Sequence, residues 1–238
     1  TAEGSGKCEW FSRRSPRWSS SHFNALGRPL HARARAPGHA VAAGGRHRRA
    51  MAADGEVDFV IATEALNQFS SLVTLPCYRW NRCVVVPKDH PLASLEHCSL
   101  EAIADHPIVT YTTGFTGRSK LDEAFKDRGL VPRFVFTAVD ADVIKTYVRL
   151  GLGIGVIASM AYDDHLDSAL VNIEASHLCP SSVTSLGFRK GSFLRGFMHD
   201  FIHEVAPHLG RELVQEALSR AKLSERGALY EGIELPEH

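Results

Sequence analysis

The sequence predicts an α/β fold of two subdomains joined by two hinge crossings, and three observations lead to this prediction. Residues Phe134–Met160 read without a break as strand, helix, glycine turn and strand, which is typical of a parallel sheet. The run Val57–Ala62 is almost continuously apolar, as expected for a strand buried on both faces. A return segment about 100 residues after the first crossing brings the chain back to the first subdomain.

The segment Phe134–Met160 shows how each element is recognised. Asp140 or Asp142 suits the N-cap of a helix whose apolar face is Val143, Ile144, Tyr147 and Val148. Gly151 ends this helix, and a buried strand begins near Gly155, so we expect the two flanking strands to form a parallel pair. The glycines follow a helix and open a strand, the reverse of a dinucleotide-binding fingerprint, and therefore indicate a helix stop and close packing.

The first subdomain is predicted to contain strands Val57–Ala62 and Leu72–Leu75, followed by an irregular step to a strand at Arg82–Val86. Thr63 comes at the carboxyl end of a strand, where open α/β sheets place ligands, although a helix cap is the commoner role. Trp80 suits either core packing or an aromatic wall of a cleft. The neighbouring Arg79 and Arg82 would favour an anion there, although exposed arginines are common.

The second subdomain contains a turn suited to a small anion. A short helix (Leu100–Ala104) and a strand (Pro107–Thr110) precede the sequence TTGFTGRS, and the helix after it ends at Gly129. Thr116 or Gly117 directly precedes that helix, so free backbone N–H groups point into the loop. Neutral hydroxyl donors accompany them at Thr112, Thr113 and Thr116. Ordinary helix capping by Thr116 is the alternative.

The C-terminal third is predicted to hold strands at Leu170–Ile173 and Thr184–Arg189 and then two helices. The first helix has an amphipathic pattern that is set by Phe193, Leu194, Phe197 and Phe201. The second helix follows Pro207, and the final residues GIELPEH are predicted to be a tail.

The overall composition is that expected of an ordinary soluble protein, with 44% hydrophobic and 23% charged residues and zero formal net charge. No apolar run approaches a membrane span, and the N-terminus lacks a signal-peptide core. The five cysteines show no CxxC pairing and no metal-ligand spacing, and the histidines show no convincing ligand pair. We therefore expect no metal or cofactor, free thiols and a cytoplasmic location.

Residues 1–50 are anomalous because they hold ten basic and two acidic residues, whereas the remaining 188 hold 17 and 25. They contain no Ile and show neither a strand nor a helix period. One back-translation of PGHAVAAGG, shifted by one nucleotide, reads QGTPLQLA, a sensible loop and helix start. Our hypothesis is a frameshift upstream of about Met51, with a missing first strand and helix; a disordered basic tail is the alternative.

The sequence offers no catalytic signature. It has no nucleophile elbow, P-loop, HExxH or apparent triad, and its carboxylates fall on exposed faces or at caps. A cleft lined by threonine, tryptophan and backbone N–H groups binds anions without activating a nucleophile. We therefore predict a binding protein rather than an enzyme.

Several motifs resemble the effector-binding domain of LysR-type transcriptional regulators of the CysB group, which activate cysteine-biosynthesis and sulfur-assimilation genes. They are DFVIATEAL, LPCYRWNR, YTTGFTGRS, TAVDADVIKTYVRLGLGIGVIASMA and LGFRKGSFLRGFMHDFI, and the similarity runs from Met51 to His238. The resemblance implies a type-2 periplasmic-binding-protein-like fold with its ligand between the lobes. Residues 51–75 and 181–206 would form subdomain I, 76–180 subdomain II, and 207–238 a C-terminal helix and tail.

The resemblance also implies site residues and ligands. The family's anion-contacting positions fall on Thr63, Trp80 and Thr116, and its inducer-response turn falls on Asp140, Ala141 and Asp142. The implied effectors are acetylserine as inducer and sulfate or thiosulfate as antagonists. A homo-oligomer is implied for the parent protein, with DNA contacted through an N-terminal helix-turn-helix.

The sequence departs from the family in three places. The TTHTQARY motif of the first strand and helix is missing, Thr113 replaces an aromatic residue, and no winged helix-turn-helix is present. Two other interpretations therefore stay open. The chain would be a free-standing anion-binding protein of the same fold, or a non-functional frameshifted fragment.

Overall fold

The computed structural model describes residues 40–42, 45–63, 66–115, 117–219, 230 and 232–237, which form two sheets with helices packed on them. The strands are β1 Ala40–Ala42, β2 Phe59–Ala62, β3 Leu72–Trp80, β4 Arg82–Pro87, β5 Pro107–Tyr111, β6 Arg133–Ala138, β7 Ile154–Ala158, β8 Leu170–Glu174 and β9 Ser182–Arg189. The helices are α1 Gly45–Asp54, α2 Leu100–Ala104, α3 Arg118–Asp127, α4 Ala141–Arg149, α5 Gly196–Val205 and α6 Arg211–Ser219. Short 3-10 turns lie at Leu66–Gln68, Pro91–Ser94, Ser159–Ala161 and Ser176–Leu178.

The first sheet has the strand order β1-β2-β9-β3, with β1 parallel to β2 and β9 antiparallel to both β2 and β3. Strand β3 continues to Trp80, so the prediction that it ends at Leu75 was wrong. A register shift between Pro76 and Tyr78 absorbs the proline, and the pairing with β9 then resumes. β1 and the start of α1 lie within residues 1–50, where the sequence shows no period, whereas residues 1–39 and 43–44 lie outside the described residues.

The second sheet has the strand order β6-β5-β7-β4-β8. The strands flanking α4 are both parallel to β5, but β5 lies between them, so the expected direct pairing of β6 with β7 was wrong. Strand β4 runs antiparallel to both β7 and β8. The side chains of β7 are buried along its whole length, as its apolar sequence predicts.

The chain passes from the first sheet to the second at Asn81 and returns between the end of β8 and the start of β9. In the second sheet, Tyr111 pairs with Ala138, and Arg82 pairs with Ala158. The carboxyl ends of β5, β6 and β7 therefore lie at one edge together with the start of β4. In the first sheet, Trp80 pairs with Ser182, so both crossings leave from the same edge of that sheet.

The main hydrophobic core includes residues of both sheets, such as Phe188 of β9 and Val85 of β4. Helix α5 packs on the first sheet, with the rings of Phe201 and Phe59 4.8 Å apart. Phe193 was predicted to belong to its apolar face, but the helix begins only at Gly196 and Phe193 is 88% exposed. No described helix is long and apolar enough to cross a membrane.

The C-terminal residues contact the first sheet, contrary to the predicted tail. The backbone N–H of Arg79 donates to the carbonyl of Pro236 at 2.8 Å, and Glu237 forms an isolated β-bridge with Arg79. The side chain of Glu237 also accepts from Asn81 Nδ2. The C-terminus therefore extends beside the end of β3, next to the first crossing.

Candidate functional site

A cluster of polar side chains forms around Thr184 at the edge of the first sheet where the chain crosses over. Trp80 Nε1 donates to Thr184 Oγ1 at 3.1 Å, and Thr63 Oγ1 lies 3.3 Å from the same oxygen. Thr63 follows β2, Thr184 begins the buried part of β9 and Trp80 ends β3, so the strand register brings them together. Thr63 and Trp80, both predicted from the sequence, thus contact the same oxygen of Thr184, which was not predicted.

This cluster is mostly buried, with Trp80 and Thr184 each 2% exposed and Thr63 half-buried. Tyr78 also hydrogen-bonds to Thr184; burial raises the pKa of the Tyr78 phenol to about 12, although this hydrogen bond lowers it. The phenol is therefore neutral near pH 7. The cluster offers hydroxyl and indole donors and carries no charge of its own.

Arg82 lies at the start of β4 and is only 5% exposed, so of the two interpretations left open by the sequence it is not an ordinary exposed arginine. Its guanidinium donates to the carbonyl of Gly117, to Ser182 Oγ at 3.0 Å and to the carbonyl of Pro180 at 3.4 Å. It also stacks over the Trp80 ring, 5.1 Å from the centroid. Every one of these groups is neutral, and no carboxylate among the described residues forms an ion pair with Arg82.

Gly117 makes this arrangement of Arg82 possible. It is the N-cap of α3 with φ +67°, and a Cβ there would lie 2.1 Å from Arg82 Nη2 and 2.6 Å from Ser182 Oγ. Of the two N-cap candidates, the structure identifies Gly117. Thr116 lies outside the described residues.

Thr112 continues the chain beyond β5 at the same edge of the second sheet. Its backbone N–H donates to the carbonyl of Ala138 at 3.0 Å, and its carbonyl accepts from Phe115 N at 3.1 Å. Its side chain is half-buried, whereas that of Thr113 is exposed. The loop is therefore held by backbone hydrogen bonds.

The turn Asp140–Asp142 begins α4. Asp140 caps the helix, because its carboxylate accepts from Asp142 N at 2.8 Å. Asp142 Oδ1 lies 3.0 Å from Lys145 Nζ, and Ala141 is fully buried. The turn therefore carries two carboxylates with structural partners, and of the two N-cap residues predicted for this helix the structure identifies Asp140.

Tyr111 lies between the turn and Arg82. Its hydroxyl accepts from Ala158 N at 3.3 Å. Burial raises the pKa of the Tyr111 phenol, the hydrogen bond from Ala158 lowers it, and the charge of Asp140 raises it further while that of Arg82 lowers it. The two groups of predicted residues thus both lie at the sheet edges where the chain crosses over, and Arg82 is a charged side chain that contacts elements of both subdomains.

The comparisons with known proteins agree with this architecture. Residues 33–210 match the LysR substrate binding domain. The chain is 51% identical over 181 residues to the HTH-type transcriptional regulator CysB of Haemophilus influenzae, and 51% identical over 171 residues to the regulator SsuR of Burkholderia cenocepacia. These alignments cover 76% and 72% of this chain but 56% of each relative, so the chain spans about half their length.

Solved structures show the same likeness. The cofactor-binding domain of the Cbl transcriptional regulator superposes with a TM-score of 0.69 at 36% identity, covering 74% of this chain and 78% of that one. The effector binding domain of QuiR in complex with shikimate has a TM-score of 0.61 at 15% identity, covering 70% and 78%, which supports the fold alone. The chain belongs to the family of LysR substrate binding domains, with their periplasmic-binding-protein-like fold, and is related to the regulators CysB, SsuR and Cbl.

Proposed function

We propose that the residues at the sheet edges where the chain crosses over bind a small anion or zwitterion of sulfur metabolism, namely acetylserine, sulfate or thiosulfate. The observation that carries this proposal is the buried Arg82, whose described partners are all neutral. A cation removed from water is costly unless a negative charge compensates it. A bound anion near Arg82 supplies that charge.

Neutral donors beside Arg82 fix the position of such a ligand. Each threonine hydroxyl has one hydrogen to donate, and either hydroxyl can be the donor between Thr63 and Thr184; we assign Thr184, which accepts from Trp80, as the donor when ligand is bound. The Thr63 hydrogen then remains for a ligand oxygen. We assign Thr112 and Thr116 as further donors from the second subdomain, on the strength of the sequence pattern and of the backbone that positions Thr112.

The acidic turn distinguishes the inducer from the inorganic anions. Acetylserine carries an ammonium as well as a carboxylate, and Asp140 and Asp142 are acceptors suited to a cation at the start of α4. Sulfate has no such group. We therefore assign Asp140, Ala141 and Asp142 to the recognition of the zwitterion, and Thr63, Trp80 and Arg82 to the anionic group that all three ligands share.

We further propose that this domain is the sensor of a longer cytoplasmic regulator. Ligand bound between subdomain I (51–75, 181–206) and subdomain II (76–180) would favour one relative arrangement of the lobes. An oligomeric parent protein would transmit this bias to DNA through a helix-turn-helix, the element that the names of the relatives CysB, SsuR and Cbl state for those proteins. The domain binds its effector without transforming it, since the residues assigned to the site are neutral donors, Arg82 and the Asp140–Asp142 carboxylates, and those that the structure describes include no pair of nucleophile and base.

The test is thermal unfolding of the chain with sulfate, thiosulfate and acetylserine. At about 100 times the Kd a ligand adds roughly 2.7 kcal/mol, which raises the Tm of a domain this size by about 5–10 °C. Thr63→Val removes one hydroxyl without changing shape and should weaken binding about tenfold or more, because hydrogen bonds to charged groups contribute about 1.5–3 kcal/mol.

Thr137→Val is the matched control, because Thr137 is exposed on β6. It should keep the full response to all three ligands. An unchanged response in Thr63→Val would exclude this placement of the anion, and no response of the parent chain to any of the three would exclude the proposed effector class.

A further inference from the structure

Three side chains with metal-binding atoms converge at the end of β8, where His97 joins two residues that are more than 70 positions later in the sequence. Glu174 ends β8, His177 lies in the 3-10 turn Ser176–Leu178, and His97 precedes α2. One ligand atom of each lies within 4.8 Å of the others. No ligand spacing marks them in the sequence, because His97 reaches Glu174 only through an isolated β-bridge between their backbones.

The distances match the edges of a coordination tetrahedron. His177 Nδ1 lies 3.2 Å and His97 Nδ1 3.3 Å from the same oxygen, Glu174 Oε2. A tetrahedral ion with metal–ligand bonds of about 2.0–2.1 Å has ligand atoms about 3.3–3.4 Å apart. Each imidazole is thus spaced from the shared carboxylate oxygen as a tetrahedral ligand would be, the two imidazole nitrogens lie within 4.8 Å of each other, and the exposed side chains leave room for water.

The orientation of the His177 ring gives a second reason. Its Nε2 lies 3.0 Å from the carbonyl oxygen of Cys98, and a carbonyl only accepts, so Nε2 carries a hydrogen. This contact directs Nδ1 towards Glu174 Oε2, 3.2 Å away. A hydrogen bond from the second ring nitrogen to a backbone carbonyl is the outer contact that usually orients a metal-bound histidine.

The carboxylate is oriented in the same way. Its other oxygen, Oε1, accepts from the backbone N–H of Ser176, which leaves Oε2 to the two imidazoles. The Glu174 side chain is 46% exposed, and an exposed carboxylate is ionised near pH 7, as a metal ligand must be.

We propose that His97, Glu174 and His177 bind a divalent first-row transition metal ion, with Zn²⁺ as the chemically best-matched ion. Two imidazole nitrogens and one carboxylate oxygen suit zinc, nickel or cobalt and not calcium or magnesium, which take oxygen ligands. The site joins the loop before α2 to the start of the second crossing. His177 lies three residues before Pro180, whose carbonyl contacts Arg82. An occupied site therefore fixes one end of that crossing.

The experiment titrates the whole chain, freed of metal by a chelator, with ZnCl2 by calorimetry and follows the Tm. One equivalent should bind, and at about 100 times the Kd the Tm should rise by about 5–10 °C. Co²⁺ should give the visible absorption of a four-coordinate site. Glu174→Gln, His97→Ala and His177→Ala should each weaken binding by about 100-fold or more, since even loss of outer contacts costs 10–100-fold.

His203→Ala is the matched control, because His203 is an exposed histidine on α5. It should keep full affinity and the cobalt spectrum. Equal binding by His177→Ala and the parent chain would overturn the proposal and assign the metal to scattered histidines. The absence of one-equivalent binding would also overturn it, and the Glu174–His177 contact would then be an ion pair with a protonated imidazole.

Discussion

At the scale of single residues, the site depends on how closely Arg82 approaches the loop before α3. Gly117 provides this approach in two ways: its φ of +67° is unfavourable for residues with a Cβ, and its missing side chain leaves room for Arg82 Nη2. A nearby glycine separates the two effects. Gly114 has φ +81°, but a Cβ there would meet nothing within 4 Å.

Gly117→Ala is expected to destabilise the chain by about 3 kcal/mol or more, because the left-handed backbone and the displaced guanidinium both contribute. Gly114→Ala should cost only the backbone contribution of about 1–2 kcal/mol. Urea unfolding monitored by circular dichroism measures both. Equal losses would mean that the contact between Gly117 and Arg82 contributes nothing to folding.

At the scale of elements, α4 is held to the second sheet by a buried ion pair as well as by its apolar face. Ile144 and Val148 are fully buried in the core. On the same helix, Lys145 Nζ donates to Asp167 Oδ2 at 2.7 Å and to the carbonyl of Ala161 at 2.8 Å. Asp167 also accepts from Arg149 and is 1% exposed, so the segment between β7 and β8 is joined to the helix that begins with the Asp140–Asp142 turn.

Lys145→Met is expected to lower the free energy of unfolding by about 3–5 kcal/mol, because it leaves the buried Asp167 carboxylate with one cation fewer. Arg211→Met serves as the control, since its ion pair with Asp200 is exposed and spans 3.5 Å. That change should cost less than about 1 kcal/mol. Chemical unfolding compares the two, and a cost for Lys145→Met as small as that of the control would show that the buried ion pair is not what holds α4.

At the scale of the whole molecule, each sheet contains a fully buried thiol. Cys77 is on β3 and Cys83 on β4, and burial is the main cause that raises the pKa of each to about 12 from 9.0. Cys98 and Cys179 are also free and buried. This agrees with the free thiols expected from the sequence.

The two thiols predict that the chain loses stability in alkali. Above pH 9 the unfolded state releases the protons of Cys77 and Cys83 while the folded state retains them, so unfolding becomes easier as pH rises towards 12. Within this window, each thiol lowers the free energy of unfolding by about 1.4 kcal/mol per pH unit. Urea unfolding between pH 8 and 10.5 measures the slope.

Replacing both thiols, Cys77→Val with Cys83→Val, should flatten that slope, whatever the change costs at pH 8. A smaller loss of stability above pH 10 remains in the variant, because the pKa of Tyr78 is also raised, to about 12. An equally steep slope in the variant would mean that other groups titrate on unfolding.

The sequence by itself determined the family and most local elements, and it predicted part of the candidate site. Periodicity and capping identified α4 with its Asp140 cap and the apolar strand β7, because these signals depend on neighbours within one helical turn or one strand. Thr63 and Trp80 were found from their motifs, and they do meet at one point. Thr116 stays a prediction, as does the frameshift hypothesis for residues 1–50.

Only the tertiary structure decided the lateral order of the strands and the partners of the polar side chains. β5 separates β6 from β7, Arg82 is buried among neutral partners, and His97 meets Glu174 and His177. The contact between Trp80 and Thr184 joins residues 104 positions apart. Such contacts arise from the packing of whole sheets, in which burial and hydrogen-bond partners are set by distant segments, so no local pattern in the chain records them.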